Sequence, residues 1–462
     1  MNIVLLSGGS GKRLWPLSND IRSKQFIKLF RKADRNCSIA DDDSVSDGYQ
    51  VGETPDGDEY ESMLQRIYGQ IKAVAPDSDI TVATGHTQVS AIRNQLGEDV
   101  GISVEPCRRD TFAAIALATA YLADVRGIAE DEPVVVCPVD PYVGLEYFSA
   151  LVRLSELAAE GSSKLVLMGI EPTYPSEKYG YIIPESDGDV SMVSMFREKP
   201  DAEIAQRYIE QGGLWNGGVF AYKLSYVLDR AEELLGYRDY ESLYENYENL
   251  EKISFDYAIV EKEPSISVMR FAGEWKDIGT WNTLSESVHV SVIGDGRMNE
   301  RCSNVHIFNE LDVPILAMGM SDVVIAASPE GILVSDKEQS SYIKPFVDEI
   351  EGPVMFAEKS WGSYRVIDVD DDEMTIKVTL RPGSRMNYHS HQRRDEVWTV
   401  IRGSGRTIVD EMEQPVKPGD VVTMQAGCRH TVIAGDDGLV LIEVQLGEDI
   451  SVEDKTVYEL DG

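Results

Sequence analysis

Residues 2–18, NIVLLSGGSGKRLWPLS, place a glycine-rich turn directly after a short apolar run. The run NIVLLS is typical of a strand that is buried on both faces. Gly8, Gly9 and Gly11 would let backbone N–H groups approach a polyphosphate closely, and Arg13 and Lys24 bring cationic side chains to the same place. The spacing matches neither a Walker loop nor a GxGxxG fingerprint. The stretch therefore predicts a strand-to-helix turn that is a candidate phosphate site.

The rest of the N-terminal half alternates short β-rich runs with helical patterns. Residues 80–84, 134–140 and 164–170 predict buried strands, and residues 111–125 and 147–160 predict helices. Strands that alternate with helices form a parallel sheet whose two faces are covered by helices. We therefore predict an α/β domain with a doubly wound, mostly parallel sheet.

Three other regions break this rhythm. Residues 33–61 are acidic and rich in Asp, Ser and Gly, and we interpret them as a solvated insertion. Residues 302–345 contain short β runs with turns between them, which indicate a small β-rich linker or a few rungs of a β-solenoid. From about residue 360 the pattern is again β-rich with Gly and Pro turns, which is typical of a small β-barrel or sandwich.

Composition limits the class of partner. The 462 residues carry a formal net charge of −37, and a surface this acidic repels nucleic-acid backbones and anionic lipid. We therefore expect small-molecule substrates, with neither nucleic acid nor membrane as a partner. The five cysteines are dispersed and form no CxxC pair, which favours a reducing compartment; with no signal peptide or long apolar run, we expect the cytoplasm. A homo-oligomer is compatible with the sequence.

Two aspartates of the N-terminal half lie in apolar settings. VCPVDPYV puts Asp140 at the end of a predicted strand, and WKDIGTW puts Asp277 between two tryptophans. Ligands of open α/β sheets bind beyond the carboxyl ends of the strands. Two carboxylates brought together there would hold Mg²⁺ against the phosphates of a nucleotide. Either aspartate alone is equally typical of a helix cap or a turn.

Near the C-terminus, HSHQRRDEVW (389–398) contains two of the six histidines. Alternation along a strand puts His389 and His391 on one face. Glu396 follows after a turn, and His430 in AGCRHTV would complete the group from a later strand. Three imidazoles and one carboxylate suit Zn²⁺, Mn²⁺, Fe²⁺, Co²⁺ or Ni²⁺ and leave positions open for a substrate. The sequence therefore predicts a metal site with the spacing of the cupin motif.

Nine motifs in order resemble bacterial sugar-1-phosphate nucleotidyltransferases, most closely the mannose-1-phosphate guanylyltransferases. They are GGSGKRLWPLS, KQF, EPCRRDT, VCPVD, EKYGYI, FREKP, WNGGVF, FDYAIVEK and WKDIGTW. The resemblance covers about residues 1–290. In such enzymes the phosphate of a sugar 1-phosphate attacks the nucleotide α-phosphorus and pyrophosphate leaves, so catalysis is mostly positioning and charge neutralisation.

The resemblance also implies roles for individual residues. Arg13, Lys24, Asp140 and Asp277 would be catalytic, with the two aspartates holding Mg²⁺. The nucleotide would be bound by Gly8, Gly9, Gly11, Arg13, Lys24, Glu105, Arg109 and Thr111. The sugar phosphate would be bound by Gly180, Glu198, Lys199 and Asn216. The family usually has Pro where this chain has Ser23.

A second resemblance covers the C-terminal region. WGSYRVID, RPGS, the HxH pair, AGCRHTV and LIEVQLG occur in the order of a type II mannose-6-phosphate isomerase domain. We accordingly expect a nucleotidyltransferase domain over 1–290, a β-rich linker over 291–352 and a cupin domain over 353–462. The isomerase pattern usually has two residues between the second His and the Glu, where this chain has four, QRRD. We interpret Arg393 and Arg394 there as solvated surface residues or as ligands of a sugar phosphate.

The leading hypothesis is an enzyme that makes GDP-mannose and pyrophosphate from GTP and mannose 1-phosphate. Its cupin domain would also interconvert mannose 6-phosphate and fructose 6-phosphate, through an enediol, with a bound metal polarising the oxygens. The alternative is a nucleotidyltransferase for another pair of nucleoside triphosphate and sugar 1-phosphate, with a cupin that senses sugars or has a structural role.

Overall fold

The computed structural model describes residues 1–9, 12–35, 50–51, 59–448, 450–451 and 454–460. Most of the acidic insertion predicted at 33–61 lies outside these residues, and so does Gly11. Among the residues described, no helix combines the length and the apolar composition needed to cross a bilayer.

The N-terminal part alternates strands and helices, as the sequence predicts. Its strands are β1 Asn2–Leu6, β2 Lys28–Arg31, β3 Gln50–Val51, β4 Tyr60–Ser62, β5 Asp79–Gly85, β6 Gly101–Glu105, β7 Pro133–Pro138, β8 Pro141–Val143, β9 Leu165–Ile170, β10 Tyr181–Pro184, β11 Val190–Arg197, β12 Leu214–Lys223, β13 Ile266–Phe271 and β14 Trp275–Asp277. Its helices are α1 Met63–Val74, α2 Val89–Leu96, α3 Asp110–Asp124, α4 Leu145–Glu160, α5 Ala202–Glu210, α6 Leu224–Leu235, α7 Tyr240–Glu245, α8 Phe255–Ala258 and α9 Trp281–Ser285.

Nine of these strands form one sheet, in the order β10-β11-β13-β9-β12-β7-β1-β5-β6. The strands β7, β1, β5 and β6 run parallel, whereas β12 runs antiparallel to both β7 and β9. Ile3 and Leu5 of β1 pack into the cluster that contains α1 and α4, and Val4 packs into the cluster that contains α3. Strand β1 is therefore buried on both faces, and the predicted doubly wound α/β fold is confirmed.

The middle part, from about residue 291, is built from short parallel ladders. Its elements are β15 Val292–Ile293, β16 Gly296–Met298, β17 His306–Asn309, β18 Ile315–Ala317, β19 Val323–Ser328, β20 Gly331–Asp336 and α10 Lys344–Val347. Strands β15, β17 and β19 pair in parallel, and so do β16 and β18. A small apolar core lies between the two ladders, where Met298, Ile307 and Ile325 are buried.

The C-terminal part consists of antiparallel strands. They are β21 Phe356–Lys359, β22 Gly362–Asp370, β23 Glu373–Leu380, β24 Tyr388–Ser390, β25 Asp395–Val409, β26 Met412–Val416, β27 Val421–Met424, β28 His430–Leu446 and β29 Thr456–Tyr458. Strand β28 pairs with β23, β24 and β25. Trp398 and Leu441, which point to one side of β25 and β28, belong to a buried core. The β-rich C-terminal domain predicted from the sequence is confirmed.

Candidate active sites

The glycine turn lies at the carboxyl end of β1, an interior strand of the sheet. Gly9 has φ +132°, a conformation that a residue with a side chain rarely adopts. Among the described residues, and apart from its chain neighbours, no atom lies within 4 Å of a Cβ added to Gly8 or Gly9. The turn therefore exposes its backbone to open space, as phosphate binding by N–H groups requires.

The two predicted metal-binding aspartates lie together at this edge of the sheet. Asp140 follows β7, and the antiparallel pairing of β8 with β14 places Asp277 opposite Pro141. The Lys24 ammonium joins the two segments, because Nζ donates to Asp140 Oδ2 at 2.9 Å and to the Ile278 carbonyl at 2.8 Å. The structure thus brings one cation and two carboxylates to a single place.

The electrostatics of this pair favour a cation. Burial raises the pKa of Asp277, the Asp140 carboxylate raises it further, and Lys24 and Arg13 oppose the rise. Arg13 lies close by, since a Cβ atom at Gly279 would be 3.5 Å from its Nη1 and 3.4 Å from both Asp277 carboxylate oxygens. Two adjacent carboxylates whose charges disfavour one another, with hard oxygen donors, fit a bound Mg²⁺.

A cavity of about 200 Å³ adjoins the aspartate pair. Its walls include three predicted sugar-binding residues, Gly180, Glu198 and Asn216. The fourth, Lys199, is anchored at the rim, because its Nζ lies 2.8 Å from Glu198 Oε1. Glu198 Oε2 is buried and has no hydrogen-bond partner among the described residues. A buried carboxylate oxygen of this kind is suited to accept a hydrogen bond from a substrate hydroxyl.

Asp256 also lines this cavity, although we did not select it from the sequence. Asn216 Nδ2 donates to Asp256 Oδ1 at 2.7 Å. Burial, together with the nearby Glu198 charge, raises the pKa of Asp256 to about 6. Asp256 belongs to the motif FDYAIVEK, which carries the family resemblance and is its signal in the sequence.

The three residues expected near the base lie on a different part of the sheet edge. Glu105 ends β6 and accepts a hydrogen bond from the Tyr247 hydroxyl at 2.7 Å. Arg109 contacts the Glu248 carbonyl. The Thr111 hydroxyl accepts from the Phe255 amide at 2.8 Å. All three therefore contact segment 247–255, and the structure does not bring them to the aspartate pair.

The C-terminal part gathers four buried side chains with metal-ligating atoms. Strands β24, β25 and β28 contribute three of them, and His391 directly follows β24. His389 lies directly opposite His430 in the register of β24 and β28. One ligand atom from each of the four lies within 4.8 Å of the others. These residues are His389, His391, Glu396 and His430.

Backbone carbonyls set the orientation of all three imidazoles. Each Nδ1 lies against a main-chain oxygen: His389 against Asn387 at 2.7 Å, His430 against Cys428 at 3.0 Å, and His391 against Asp454. Since Nδ1 must then carry the proton, each Nε2 presents a lone pair to the centre of the group.

At the centre of this group, hydrogen-bond acceptors of different side chains face one another. The Glu396 carboxylate oxygens lie 3.1 Å from His391 Nε2 and 3.1 Å from His430 Nε2. Burial lowers the pKa of His389 to about 3 and that of His391 to about 4, which keeps these rings neutral. Among the described residues, His430 Nε2 and Glu396 Oε2 are buried without a hydrogen-bond partner. A divalent metal ion would satisfy both atoms, so the donor set fits such an ion.

Arg394 lies inside this site, and its interpretation as a solvated surface residue was wrong. It is 8 % exposed, and its Nη2 is 3.1 Å from His391 Nε2 while its Nε donates to Glu396 Oε1 at 3.3 Å. The side chain of Arg393 is instead 50 % exposed. The site also contains buried Glu443, whose pKa is raised to about 8 by burial and by the Glu396 charge.

Comparison with known proteins identifies the two main parts of the chain. Residues 2–35 and 55–290 match the family model described as nucleotidyl transferase, and residues 354–460 match the model described as mannose-6-phosphate isomerase C-terminal.

Full-length relatives and one solved structure are similar to the chain as well. The xanthan biosynthesis protein XanB of Xanthomonas campestris pv. campestris is 28 % identical over 99 % of this chain and 97 % of its own length. A mannose-1-phosphate guanylyltransferase of Escherichia coli K12 is 27 % identical over 98 % and 96 %. A crystal structure described as a mannose-1-phosphate geranyltransferase from Thermus thermophilus is 27 % identical and covers 75 % of this chain and 98 % of its own, with a TM-score of 0.59. The first family model alone matches more than half of the residues, and the chain belongs to the nucleotidyl transferase family.

Proposed function

We propose that the N-terminal site transfers a guanylyl group from GTP to mannose 1-phosphate, which yields GDP-mannose and pyrophosphate. The observation that carries this proposal is the contact of Lys24 with Asp140 beside Asp277, directly next to a cavity of sugar size. The names of the full-length relatives support guanine and mannose as the base and the sugar.

In this proposal the chain acts mainly by positioning charge. The open turn at Gly8 and Gly9 and the side chains of Arg13 and Lys24 would hold the triphosphate. Lys199 would hold the sugar phosphate so that its oxygen is in line with the α-phosphorus and the pyrophosphate leaves on the opposite side. Asp140 and Asp277 would hold Mg²⁺, which when bound neutralises charge on the phosphates.

The sugar ring would lie in the cavity beside the aspartate pair. Glu198 Oε2, which has no hydrogen-bond partner in the described parts of the chain, would accept a hydrogen bond from a sugar hydroxyl. Asn216 keeps one amide hydrogen free after its bond to Asp256. Glu105, Arg109 and Thr111 would contribute to the base end of the nucleotide from the edge of the sheet.

A panel of nucleoside triphosphates and sugar 1-phosphates tests this assignment by the rate of pyrophosphate release. We expect GTP with mannose 1-phosphate to give the highest kcat/KM. Strong turnover of UTP or dTTP with glucose 1-phosphate, beside weak turnover of GTP with mannose 1-phosphate, would overturn the assignment in favour of another pair.

We propose that the C-terminal site holds one divalent transition-metal ion, such as Zn²⁺, Mn²⁺, Fe²⁺, Co²⁺ or Ni²⁺. His389, His391, Glu396 and His430 would bind it. The metal when bound would polarise the oxygens of a hexose 6-phosphate, and Arg394 would bind an anionic group of the substrate. This arrangement favours the interconversion of mannose 6-phosphate and fructose 6-phosphate.

Purified protein loaded with each metal separates catalysis from sensing. Formation of mannose 6-phosphate from fructose 6-phosphate supports the isomerase. If no metal gives turnover but hexose 6-phosphates raise the melting temperature, the cupin domain is a sensor of sugar phosphates. The proposed compartment is the cytoplasm, because the four cysteines among the described residues are all free.

A further inference from the structure

The segment that leads from the glycine turn to Lys24 is held by distant parts of the chain. Within residues 12–22, the Pro16 carbonyl accepts a hydrogen bond from the Ser328 hydroxyl at 2.6 Å, and the Trp15 carbonyl accepts one from the Trp281 indole at 2.9 Å. Ser328 belongs to the parallel ladders of the middle part. The path of the chain into Lys24 therefore depends on residues outside the nucleotide-binding sheet.

Arg22, two residues before Lys24, makes a strong contact of this kind. Its guanidinium donates to both oxygens of Glu310, at 2.7 and 2.9 Å. The side chain is only 13 % exposed, and its cation lies 5.3 Å from the centre of the Phe356 ring. A two-pronged ion pair that is shielded from water fixes both the position and the orientation of the guanidinium.

Asn19 ties the same segment to the start of the C-terminal part. Its Nδ2 donates to Glu330 Oε1 and to the Phe356 carbonyl, both at 2.8 Å. Its Oδ1 accepts from the amides of Ile21 and Arg22, at 2.9 and 2.6 Å. The turn over residues 19–22 is thus closed locally and bonded externally through one side chain.

Lys24 and the glycine turn are the elements that this anchored turn holds in place. Ser23, next to Arg22, donates from Oγ to the Gly9 carbonyl at 3.1 Å, and Lys24 contacts Asp140. We propose that Arg22 and Asn19 are positioning residues for Lys24, so that Glu310, Glu330 and Phe356 belong to the scaffold of the nucleotidyl-transfer site. This inference rests on the proposed function, because nucleotidyl transfer is its readout.

Two single substitutions test the inference on the full-length chain. Arg22→Met removes both ionic bonds, and Glu310→Gln removes the charge but keeps the shape of the partner. Because displacing a catalytic group by about 1 Å costs roughly 10²-fold in rate, we expect kcat to fall by about tenfold or more in each variant. We expect the KM for the sugar phosphate to stay within about twofold, since the cavity residues lie elsewhere. Arg22→Lys, which keeps one ionic contact, should recover part of the loss.

The double variant shows whether the two residues act through one another. If they do, Arg22→Met with Glu310→Gln should be no slower than the slower single variant. Additive losses would overturn the claim that the ion pair acts as a unit.

Asp312 supplies a matched control. It is two residues from Glu310, but it is 87 % exposed and its ion pair is with Arg365, at 2.9 Å, and not with a residue of the anchored turn. Asp312→Asn should leave kcat and KM unchanged. All rates are measured well below the melting temperature of each variant, and if Arg22→Met does not fold, Glu310→Gln decides alone. A lower melting temperature with unchanged kcat would overturn the inference, whereas an inactive wild type would instead overturn the proposed function.

Discussion

Gly180 offers a sharp test of the sugar-binding cavity, because its missing side chain makes room for Glu198. A Cβ atom added to Gly180 would lie 2.4 Å from Glu198 Oε2, 3.0 Å from the Phe196 ring and 3.4 Å from Asn216 Cβ. The first distance is far shorter than any real contact, so in Gly180→Ala the Glu198 carboxylate must move away. The oxygen that moves is the one without a hydrogen-bond partner.

The size of the effect follows from this displacement. Restoring an ordinary contact of about 3.5 Å requires Glu198 Oε2 to move by about 1 Å. A shift of that size in a group that positions the substrate costs roughly 10²-fold in rate, which corresponds to about 2.7 kcal/mol of transition-state stabilisation.

Stability should change much less than activity in the same variant. Overpacking typically costs about 1–3 kcal/mol, but here the displaced atom is the end of a flexible side chain, which keeps the cost near the lower limit. The loss of glycine's freedom in the unfolded chain offsets about 0.4–1 kcal/mol of it. We therefore expect Gly180→Ala to fold and to melt within a few degrees of the wild type.

The assay is steady-state pyrophosphate release with the sugar 1-phosphate as the varied substrate. We expect kcat/KM for the sugar phosphate to fall by about 10²-fold, with the KM for GTP little changed. Gly85→Ala is the control, because a Cβ atom there would meet no atom of the described, non-adjacent residues within 4 Å. Unchanged kcat/KM in Gly180→Ala would refute the idea that Glu198 binds the sugar.

Four further predictions concern the two sites. Asp277→Ala should abolish Mg²⁺-dependent transfer and leave the metal content of the C-terminal site unchanged, as measured by elemental analysis; loss of both would contradict two independent sites. Glu396→Gln should remove most of the rise in melting temperature that Mn²⁺ or Zn²⁺ produces, because it deletes the one anionic ligand, and an undiminished rise would exclude this metal site. Asp256, whose pKa is raised to about 6, is protonated below that pH and ionised above it. If the ionised form accepts a sugar hydroxyl, the KM for the sugar phosphate falls as pH rises through about 6, and this step should be missing from Asp256→Asn. Ser23→Ala removes the donor to the Gly9 carbonyl. It should raise the KM for GTP by about 2- to 10-fold, which corresponds to the loss of one neutral hydrogen bond. An unchanged KM would mean that the glycine turn keeps its conformation without this hydrogen bond.

The elements of the α/β part could be predicted closely, because buried central strands and their helices have strong local patterns. The helix predicted at 111–125 is α3, Asp110–Asp124, and that predicted at 147–160 is α4, Leu145–Glu160. The direction of β12 could not be predicted in this way. Its antiparallel pairing with β7 and β9 is decided by which neighbours it meets, and a continuous apolar run is the same in either direction.

The residues of the candidate sites could likewise be predicted only where the signal lies in the local sequence. Asp140 could be selected because it ends an apolar run, and Asp277 because it lies between two tryptophans; both are features of the local sequence. Asp256 was missed because its significance depends on Asn216 and Glu198, which the fold brings to it from 40 and 58 residues away along the chain. The significance of Arg22 likewise depends on its ion pair with Glu310. Residues whose role is defined by a distant partner leave no periodic or spacing signal.

The four residues QRRD, which separate His391 from Glu396, determine how His391 and Arg394 are held in the C-terminal site. The amides of Gln392 and Arg393 donate to the Asp454 carboxylate at 2.8 and 2.9 Å, and the Asp454 carbonyl contacts His391 Nδ1. Asp454 thus holds both the QRRD connection and the imidazole of His391, one of the four candidate metal ligands.

The anchored connection also directs Arg394 inward. Its guanidinium balances the single charge of Glu396 at 3.3 Å, while the pKa of Glu443 is raised to about 8 and keeps that carboxyl largely protonated near neutral pH. A divalent cation bound there, together with the Arg394 guanidinium, would outweigh the carboxylate charges of Glu396 and Glu443. A connection longer than that of the isomerase pattern thus places a guanidinium beside the candidate metal ligands, and this positive charge would favour the anionic sugar phosphate that we propose as the ligand.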